Sequence, residues 1–500
     1  MRRGLVILAA LTAAAAGKAA PAPTFDFDVL SRRAQAMAHQ PYHRRAVVIP
    51  EWLKKLSYDQ YRDIRFKPPE SWWNRDPVPF KLQFFHPGFI YGSTVKMYEL
   101  DDGRPVLIPF ERKMFDYGHN KAGDLPPDFG FGGFRIHYPL NHVLDELGVF
   151  QGASYFRFLC RRAVYGLSAR GIAINTAVPG KDEEFPDFTE FWVQKPSGPT
   201  ANEILVYALL DGPSVTGAYR FAIDPGADTV VRVRAVIYCR SNPAVLGLAP
   251  LTSMYWHGKT SNFETDDIRP EVHDSDGLMI HNGADEWLWR PLTNPAISRT
   301  MSFSDDDPKG FGLLQRERRY EAYQDLEAVY QLRPSAWVEP VNHWGPGAVR
   351  LVELHTPNET NDNIVAFWVP ATLPPAGEPI EIEYNIHWFM DQIRPPLGYT
   401  VNTRYGKSHF WEPEMERFVI EFDSPELQHL GANERVDADV TVGDGAMLVH
   451  ADAMKNPFTG TWRAFFAVKD DGSGRPVELR CRLRRQGHDL TEVWTYLWQP

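Results

Sequence analysis

Cysteine is scarce in this chain. Only Cys160, Cys239 and Cys481 occur in 500 residues, too few for a small disulfide-stapled scaffold. Cys160 and Cys239 lie in strand-like runs and are candidates for pairing in an oxidising compartment, a question the spacing leaves open. Cys481 falls on the apolar face of the alternating run Val477–Leu483 and reads as a small buried hydrophobe. Long apolar stretches are also missing beyond the first twenty residues, so no membrane insertion is expected of the remainder. Positive charge is in deficit. Lys and Arg number 53 against 64 Asp and Glu, a formal net charge of −11. That balance argues against nucleic acid or an anionic membrane as partner and suits a neutral ligand.

Familiar chemical motifs are absent as well. There is no phosphate-binding loop of the GxxxxGK[ST] type. Phe129-Gly-Phe-Gly-Gly-Phe134 is glycine-rich but sits in no βαβ pattern, so its glycines read as room for aromatic packing in tight turns. Gly166-Leu-Ser-Ala-Arg-Gly171 is one residue too long for a nucleophile elbow. His39 and His43 have i, i+4 spacing, but Pro41 between them breaks the helix that spacing would need. No other grouping has metal-ligand spacing, so neither a metal nor a cofactor is expected.

What is present begins at the N-terminus. Arg2 and Arg3 precede the apolar run Leu5–Ala16, and the small residues Gly17 and Ala19 follow, the layout of a cleaved secretory signal over residues 1–20. A twin-arginine export signal is the alternative, disfavoured by Gly4 directly after the arginines. Removing Arg2, Arg3 and Lys18 leaves 50 basic against 64 acidic residues, a charge of −14.

About 480 remaining residues predict two domains. Aromatics make up 13% of the chain, and Gly and Pro number 37 and 41, which fits an all-β protein with many turns. Periodicity agrees. Leu30, Ala34 and Met37 suggest a helix over 26–38 that ends before Pro41, and Ser57 is a plausible N-cap for a short helix over 58–64. Thereafter the period is two. Val215, Gly217, Tyr219, Phe221 and Ile223 share one strand face, Asp224-Pro-Gly226 turns the chain, and Val231, Val233, Ala235 and Ile237 line the returning strand. Residues 380–388 alternate cleanly. Beyond the break Arg394-Pro-Pro-Leu-Gly398, shorter strands at 418–422, 462–468, 477–483 and 493–498 suggest an immunoglobulin-like sandwich over 399–500. Asp305-Asp-Asp307 reads as a solvated turn.

Two acidic segments, His273-Asp-Ser-Asp-Gly277 and Glu359-Thr-Asn-Asp-Asn363, each stand at the mouth of an apolar run. Glycoside hydrolysis needs one carboxyl held protonated and one ionised. Asp-rich turns are more often local hydrogen-bonding devices, and the residues alone leave both readings open.

Long ordered blocks resolve the matter further. Gly152-Ala-Ser-Tyr-Phe-Arg157, Tyr165-Gly-Leu-Ser-Ala-Arg-Gly171, Leu248-Ala-Pro-Leu-Thr-Ser-Met254, His273-Asp-Ser-Asp276, Glu286-Trp-Leu-Trp-Arg-Pro-Leu292, Arg333-Pro-Ser-Ala-Trp-Val-Glu-Pro340 and Glu359-Thr-Asn-Asp-Asn-Ile364 carry a resemblance to the periplasmic glucan biosynthesis protein family, types G and D. It is specific over about residues 25–390 and looser beyond. The resemblance implies a large β-sandwich of the galactose-mutarotase type over 24–390, carrying a cleft, followed by the small immunoglobulin-like domain. It implies a periplasmic role in making glucans with a β-1,2-linked backbone. Some members resemble inverting β-1,2-glucanases, in which Asp274 matches the general base and Asp362 the general acid. Glu359 is then expected to tune the acid as a neighbouring like charge, and His273 to help orient Asp274. Tyr330, Arg333 and Trp337 resemble cleft-lining contacts, and Trp287, Trp289 and Arg290 platform residues. Two other readings stand beside the hydrolase: a non-catalytic glucan-binding factor assisting the membrane glucan synthase, and, on fold analogy alone, a mutarotase- or epimerase-like enzyme.

Overall fold

The computed structural model describes residues 24–45, 48–261, 266–407 and 415–500; the expected signal segment lies outside them. Among the described residues the molecule is all-β, with a few short helices. Phe27–Ala38 forms the helix expected from periodicity. Asp26 caps it by accepting a hydrogen bond from Val29 N, and its buried side is Phe27, Leu30, Ala34 and Ala38. Ser57 and Gln60 close a reciprocal capping box around Tyr58–Arg62.

Two large sheets face one another. The first has ten strands, in the order Lys81–Phe85, Gly133–His137, Glu146–Gln151, Tyr155–Phe158, Ser168–Arg170, Leu246–Ser253, Ile364–Pro370, Gly347–Glu353 and Arg299–Asp305, with Ile172–Ile174 paired to Leu246–Ser253. The second has fifteen strands. Val215–Asp224 and Thr229–Cys239 sit at its middle, in antiparallel register from Val215↔Cys239 to Asp224↔Val230. Val215, Tyr219, Phe221 and Ile223 on one strand, and Val231, Val233, Ala235 and Ile237 on the next, enter the core between the sheets, where they meet Phe134, Phe150, Phe156 and Phe191. The opposite face of the same strands is buried too. Ala218, Val236 and Tyr238 pack beneath the Phe27–Ala38 helix.

After residue 399, Tyr399–Lys407, Glu416–Asp423, Trp462–Asp470 and Ala446–Lys455 build a separate four-stranded sheet. The strands that face it, Asp437–Val442, Val477–Arg485 and Val493–Trp498, extend the fifteen-stranded sheet through a parallel pairing, Leu288↔Val493 and Trp289↔Trp494. The second core therefore mixes Phe418, Trp462, Phe466 and Trp494 with Met279, Trp289, Leu314 and Trp337 from earlier strands. All three cysteines are buried and free, so the candidate Cys160–Cys239 pair is not formed. Burial pushes the thiol of Cys160 up to about 12 and that of Cys239 to about 11.

Candidate functional site

Asp274 follows the two-residue strand Val272–His273, which pairs with Tyr255–His257. Its amide donates to Met254 O (2.8 Å). Hydrogen-bond partners distinguish the residues of the His-Asp-Ser-Asp run. His273 turns into the interior, where its ring nitrogens are engaged by Gln315 Oε1 (2.8 Å) and Glu271 Oε2 (3.1 Å). The expectation that it orients Asp274 directly is corrected by that placement. Ser275 Oγ shares a hydrogen bond with Ser253 Oγ (2.8 Å), and Asp276 Oδ2 accepts from the amides of Arg316 and Glu317 (3.0 and 2.9 Å). Asp274 alone of the run faces the guanidinium of Arg333, with which it forms an ion pair.

Arg333 reaches that position because Gly166 yields space: a Cβ on Gly166 would stand 2.8 Å from Arg333 Cβ. The guanidinium lies 4.1 Å from the centre of the Tyr330 ring, a stack that fixes its plane. The Tyr330 hydroxyl donates to Glu359, whose carboxylate also accepts from Arg269 Nη1 (2.8 Å).

Asp362 arrives from the other acidic segment. The residue after it, Asn363, is buried and stapled to the backbone that supports Asp274. Its Oδ1 accepts from Tyr255 N (2.8 Å), its Nδ2 donates to Tyr255 O (3.0 Å) and Leu354 O (2.9 Å), and its own amide donates to Ser253 O (3.1 Å). Asp362 is left at the wall of a cavity of about 440 Å³, together with Phe85, Tyr91, Glu146, Tyr155, Arg157 and Tyr165. Its side chain is 31% exposed, and Arg157 Nη2 stands 3.9 Å away.

The electrostatics of the two acids differ. Burial raises the Asp274 carboxyl above the ordinary carboxylate range, and Arg333, in contact, with Arg157 farther off, pulls it back. Recessed walls likewise desolvate and raise Asp362. Arg157 opposes the rise, and the Asp274 charge adds to it. The like charge acting on Asp362 is thus Asp274. Glu359, expected in that role, is instead committed to Arg269 and Tyr330. Both acids feel the same two guanidiniums: Arg333 is hydrogen-bonded to Asp274, and Arg157 stands within ion-pair range of Asp362. Both carboxyls are therefore raised, and the charge of Asp274 works against ionising Asp362 at the same time.

The remaining expected residues lie elsewhere. Trp287 stacks on His281 (4.2 Å) and on Trp337 (5.7 Å). Trp337 and Trp289 are 4% exposed and belong to the core shared with the C-terminal strands. Arg290 is buried, pairs with Glu478 and lies 5.2 Å from the Phe303 ring. These residues form a packed structural layer rather than a platform beside the acids. Conversely, Arg157 and the aromatics around Asp362 were not singled out as site residues, although Arg157 closes the Gly152–Arg157 block. With glutamate, arginine and several aromatic faces around a recessed acid, the cavity has the makings of a polyol site: stacking surfaces plus fixed hydrogen-bonding groups.

Comparison with known proteins is consistent over nearly the whole chain. The sequence model of a family described as "Periplasmic glucan biosynthesis protein, MdoG" matches residues 25–498. A protein of Ralstonia nicotianae named "Glucans biosynthesis protein G" is 44% identical over 513 residues, covering 99% of this chain and 99% of the relative. One of the same name from Pseudomonas paraeruginosa is 40% identical over 504 residues, covering 98% and 96%. A Vibrio cholerae relative, again of that name, is 44% identical over 481 residues, covering 95% and 87%.

Proposed function

The chain belongs to the periplasmic glucan biosynthesis protein family, and on that premise we propose that it is a periplasmic inverting hydrolase of a β-1,2-linked glucan backbone, with Asp362 as general acid and Asp274 as general base. The observation that carries the proposal is a coupled pair of recessed carboxyls, one of them at the wall of an aromatic cavity. Burial raises both, each feels Arg157 and Arg333, Arg333 is ion-paired to Asp274, and Arg157 stands 3.9 Å from Asp362. In the reaction Asp362 gives its proton to the glycosidic oxygen as the C–O bond breaks. Asp274 takes a proton from the water that attacks the anomeric carbon from the opposite face. One new reducing end forms, with inverted configuration. Arg333 holds the charge on Asp274, and the aromatic cavity holds the glucan.

A specific feature favours a second reading. Asp274 is only 4% exposed and already ion-paired, an arrangement that also suits a purely structural carboxylate. On that reading the protein binds glucan without cleaving it and assists the membrane synthase. Export through a cleaved signal at residues 1–20 is part of both readings.

Incubating the purified chain with linear β-1,2-glucan and assaying new reducing ends separates them. The hydrolase reading expects cleavage that falls by about 10²–10⁴ in Asp274→Asn and Asp362→Asn with binding retained. Parental cleavage by both folded variants rejects the acid assignment. Binding without cleavage by the parent establishes the second reading.

A further inference from the structure

Arg269 lies on the stretch that leads into the Val272–His273 strand, and its one guanidinium serves three carboxylates. Nε and Nη2 hold the two oxygens of Asp267 (2.9 and 2.6 Å), while Nη1 donates to Asp325 (3.0 Å) and to Glu359 (2.8 Å). The bidentate contact with Asp267 fixes the plane of the fork. The other two carboxylates come from segments far along the chain. Asp267 and Asp325 alone already exceed the charge of one arginine, so a third carboxylate adds nothing to neutralisation. What Glu359 adds is a connection. The oxygen that takes Arg269 Nη1 also accepts from the Tyr330 hydroxyl.

Tyr330 sits at the end of a strained turn. Val329, directly before it, has φ +41°, a left-handed conformation that a β-branched residue keeps only where its surroundings enforce it. Asp325 supplies that constraint. Its Oδ1 accepts from the amides of Glu327 and Ala328 (2.8 and 2.7 Å), and its Oδ2 is held by Arg269. Arg269 therefore grips the turn at both ends: the backbone before Val329 through Asp325, and the Tyr330 hydroxyl through Glu359. Beyond Tyr330 the chain of contacts runs through the Arg333 guanidinium, stacked on its ring, to Asp274. The Glu359 end of the same hub belongs to the segment that delivers Asp362.

We propose that Arg269 is a positioning residue for glucan hydrolysis, holding the turn that aims Tyr330 and Arg333 at Asp274 in register with the segment that bears Asp362. The inference rests on the hydrolase reading, and Arg269 acts in it only through other side chains.

Steady-state cleavage of linear β-1,2-glucan by the full mature chain, with a glucan titration and a melting curve beside it, provides the test. Arg269→Met should lower kcat by about tenfold to a hundredfold, the upper figure being the cost of a misplacement of about 1 Å, with KM and glucan affinity kept. Glu359→Leu cuts the same link while leaving Arg269 paired with Asp267 and Asp325, so it carries the test where Arg269→Met does not fold. Tyr330→Phe removes the hydroxyl alone and should lower kcat in the same way. Added to Tyr330→Phe, either of the other changes should cost little more, because residues acting along one chain of contacts are not additive. A merely structural hub would instead lower the melting temperature and give losses of turnover that multiply. Parental kcat in folded Arg269→Met or Glu359→Leu, or multiplying losses in the double variants, overturns this inference and leaves the acid pair to be judged by its own Asn variants. A parent that never cleaves glucan overturns the hydrolase reading and this inference together.

Discussion

Asn363 grips both the amide and the carbonyl of Tyr255. The segment carrying Asp362 is thereby fastened to the backbone carrying Asp274, because Met254, one residue before Tyr255, accepts the Asp274 amide. Two acids 88 residues apart in sequence share one rigid support. Asn363→Ala leaves three backbone groups wanting partners, a loss of about 1–3 kcal/mol for each one left buried and unsatisfied. Cleavage should fall by about a hundredfold, the scale set by a misplacement of about 1 Å, with glucan affinity largely kept. A reducing-end assay beside a denaturation curve checks both; parental turnover in the folded variant would show that the staple positions nothing.

Arg333 donates to Asp274 and acts on Asp362 only from a distance. The charged form of Asp274 is favoured by its contact with Arg333, so Arg333→Met removes the guanidinium that lowers that carboxyl and leaves burial to raise it further. In a bell-shaped rate profile the acid limb reports the base and the alkaline limb the acid. The acid limb should therefore move to higher pH in Arg333→Met. The alkaline limb should also rise, by less, because Arg333 is a weaker influence on Asp362. A profile of kcat/KM against pH for the two proteins decides the matter. An unmoved acid limb would assign it to another group.

The alternation of Val215–Ile223 and Val231–Ile237 was legible because one face fills a single core. The helix and its cap at Asp26 were legible for the same local reason. The acids were legible as two Asp-bearing turns, but their pairing needed the fold. Arg157 stands some 200 residues before Asp362, and only the ordering of strands in the ten-stranded sheet makes them neighbours. The tryptophans misled for a different reason. The fifteen-stranded sheet is covered on both faces around Trp289 and Trp337, so a period-two pattern cannot say which face looks into a cleft and which into a second core.

Glu317 sits between Lys259 and Arg319. Burial raises its carboxyl, but hydrogen bonding to Arg319 and the charge and contact of Lys259 outweigh burial and bring it down to about 2. A folded-state value below the unfolded one means that ionised Glu317 contributes stability above about pH 4.5. That contribution is lost as pH falls from about 4.5 toward 2. Glu317→Gln should therefore be less stable than the parent at pH 7, and the difference should shrink on acidification through that window. Urea midpoints measured from pH 7 to pH 3 provide the check, and a difference independent of pH would contradict it.

Tyr155 and Trp337 separate the cavity wall proposed to meet glucan from the aromatic layer that packs the second core. Tyr155 lines the cavity beside Asp362, backed by Arg170, whose guanidinium lies 5.2 Å from its ring. Trp337 is 4% exposed and packs against Trp287 within the second core. Truncating a buried aromatic of this size costs about 3–5 kcal/mol. Losing a stacking face costs nearer 1 kcal/mol, or up to about tenfold in affinity. Trp337→Ala should therefore melt well below the parent yet bind β-1,2-glucan normally wherever it is folded. Tyr155→Ala should keep the parental melting temperature and bind up to about tenfold more weakly. Melting curves and titrations with β-1,2-, β-1,3- and β-1,4-glucans test both halves at once. The opposite pattern, affinity lost in Trp337→Ala and retained in Tyr155→Ala, would move the glucan site to the tryptophan layer and away from the two acids, and the hydrolase reading would lose its geometry with it.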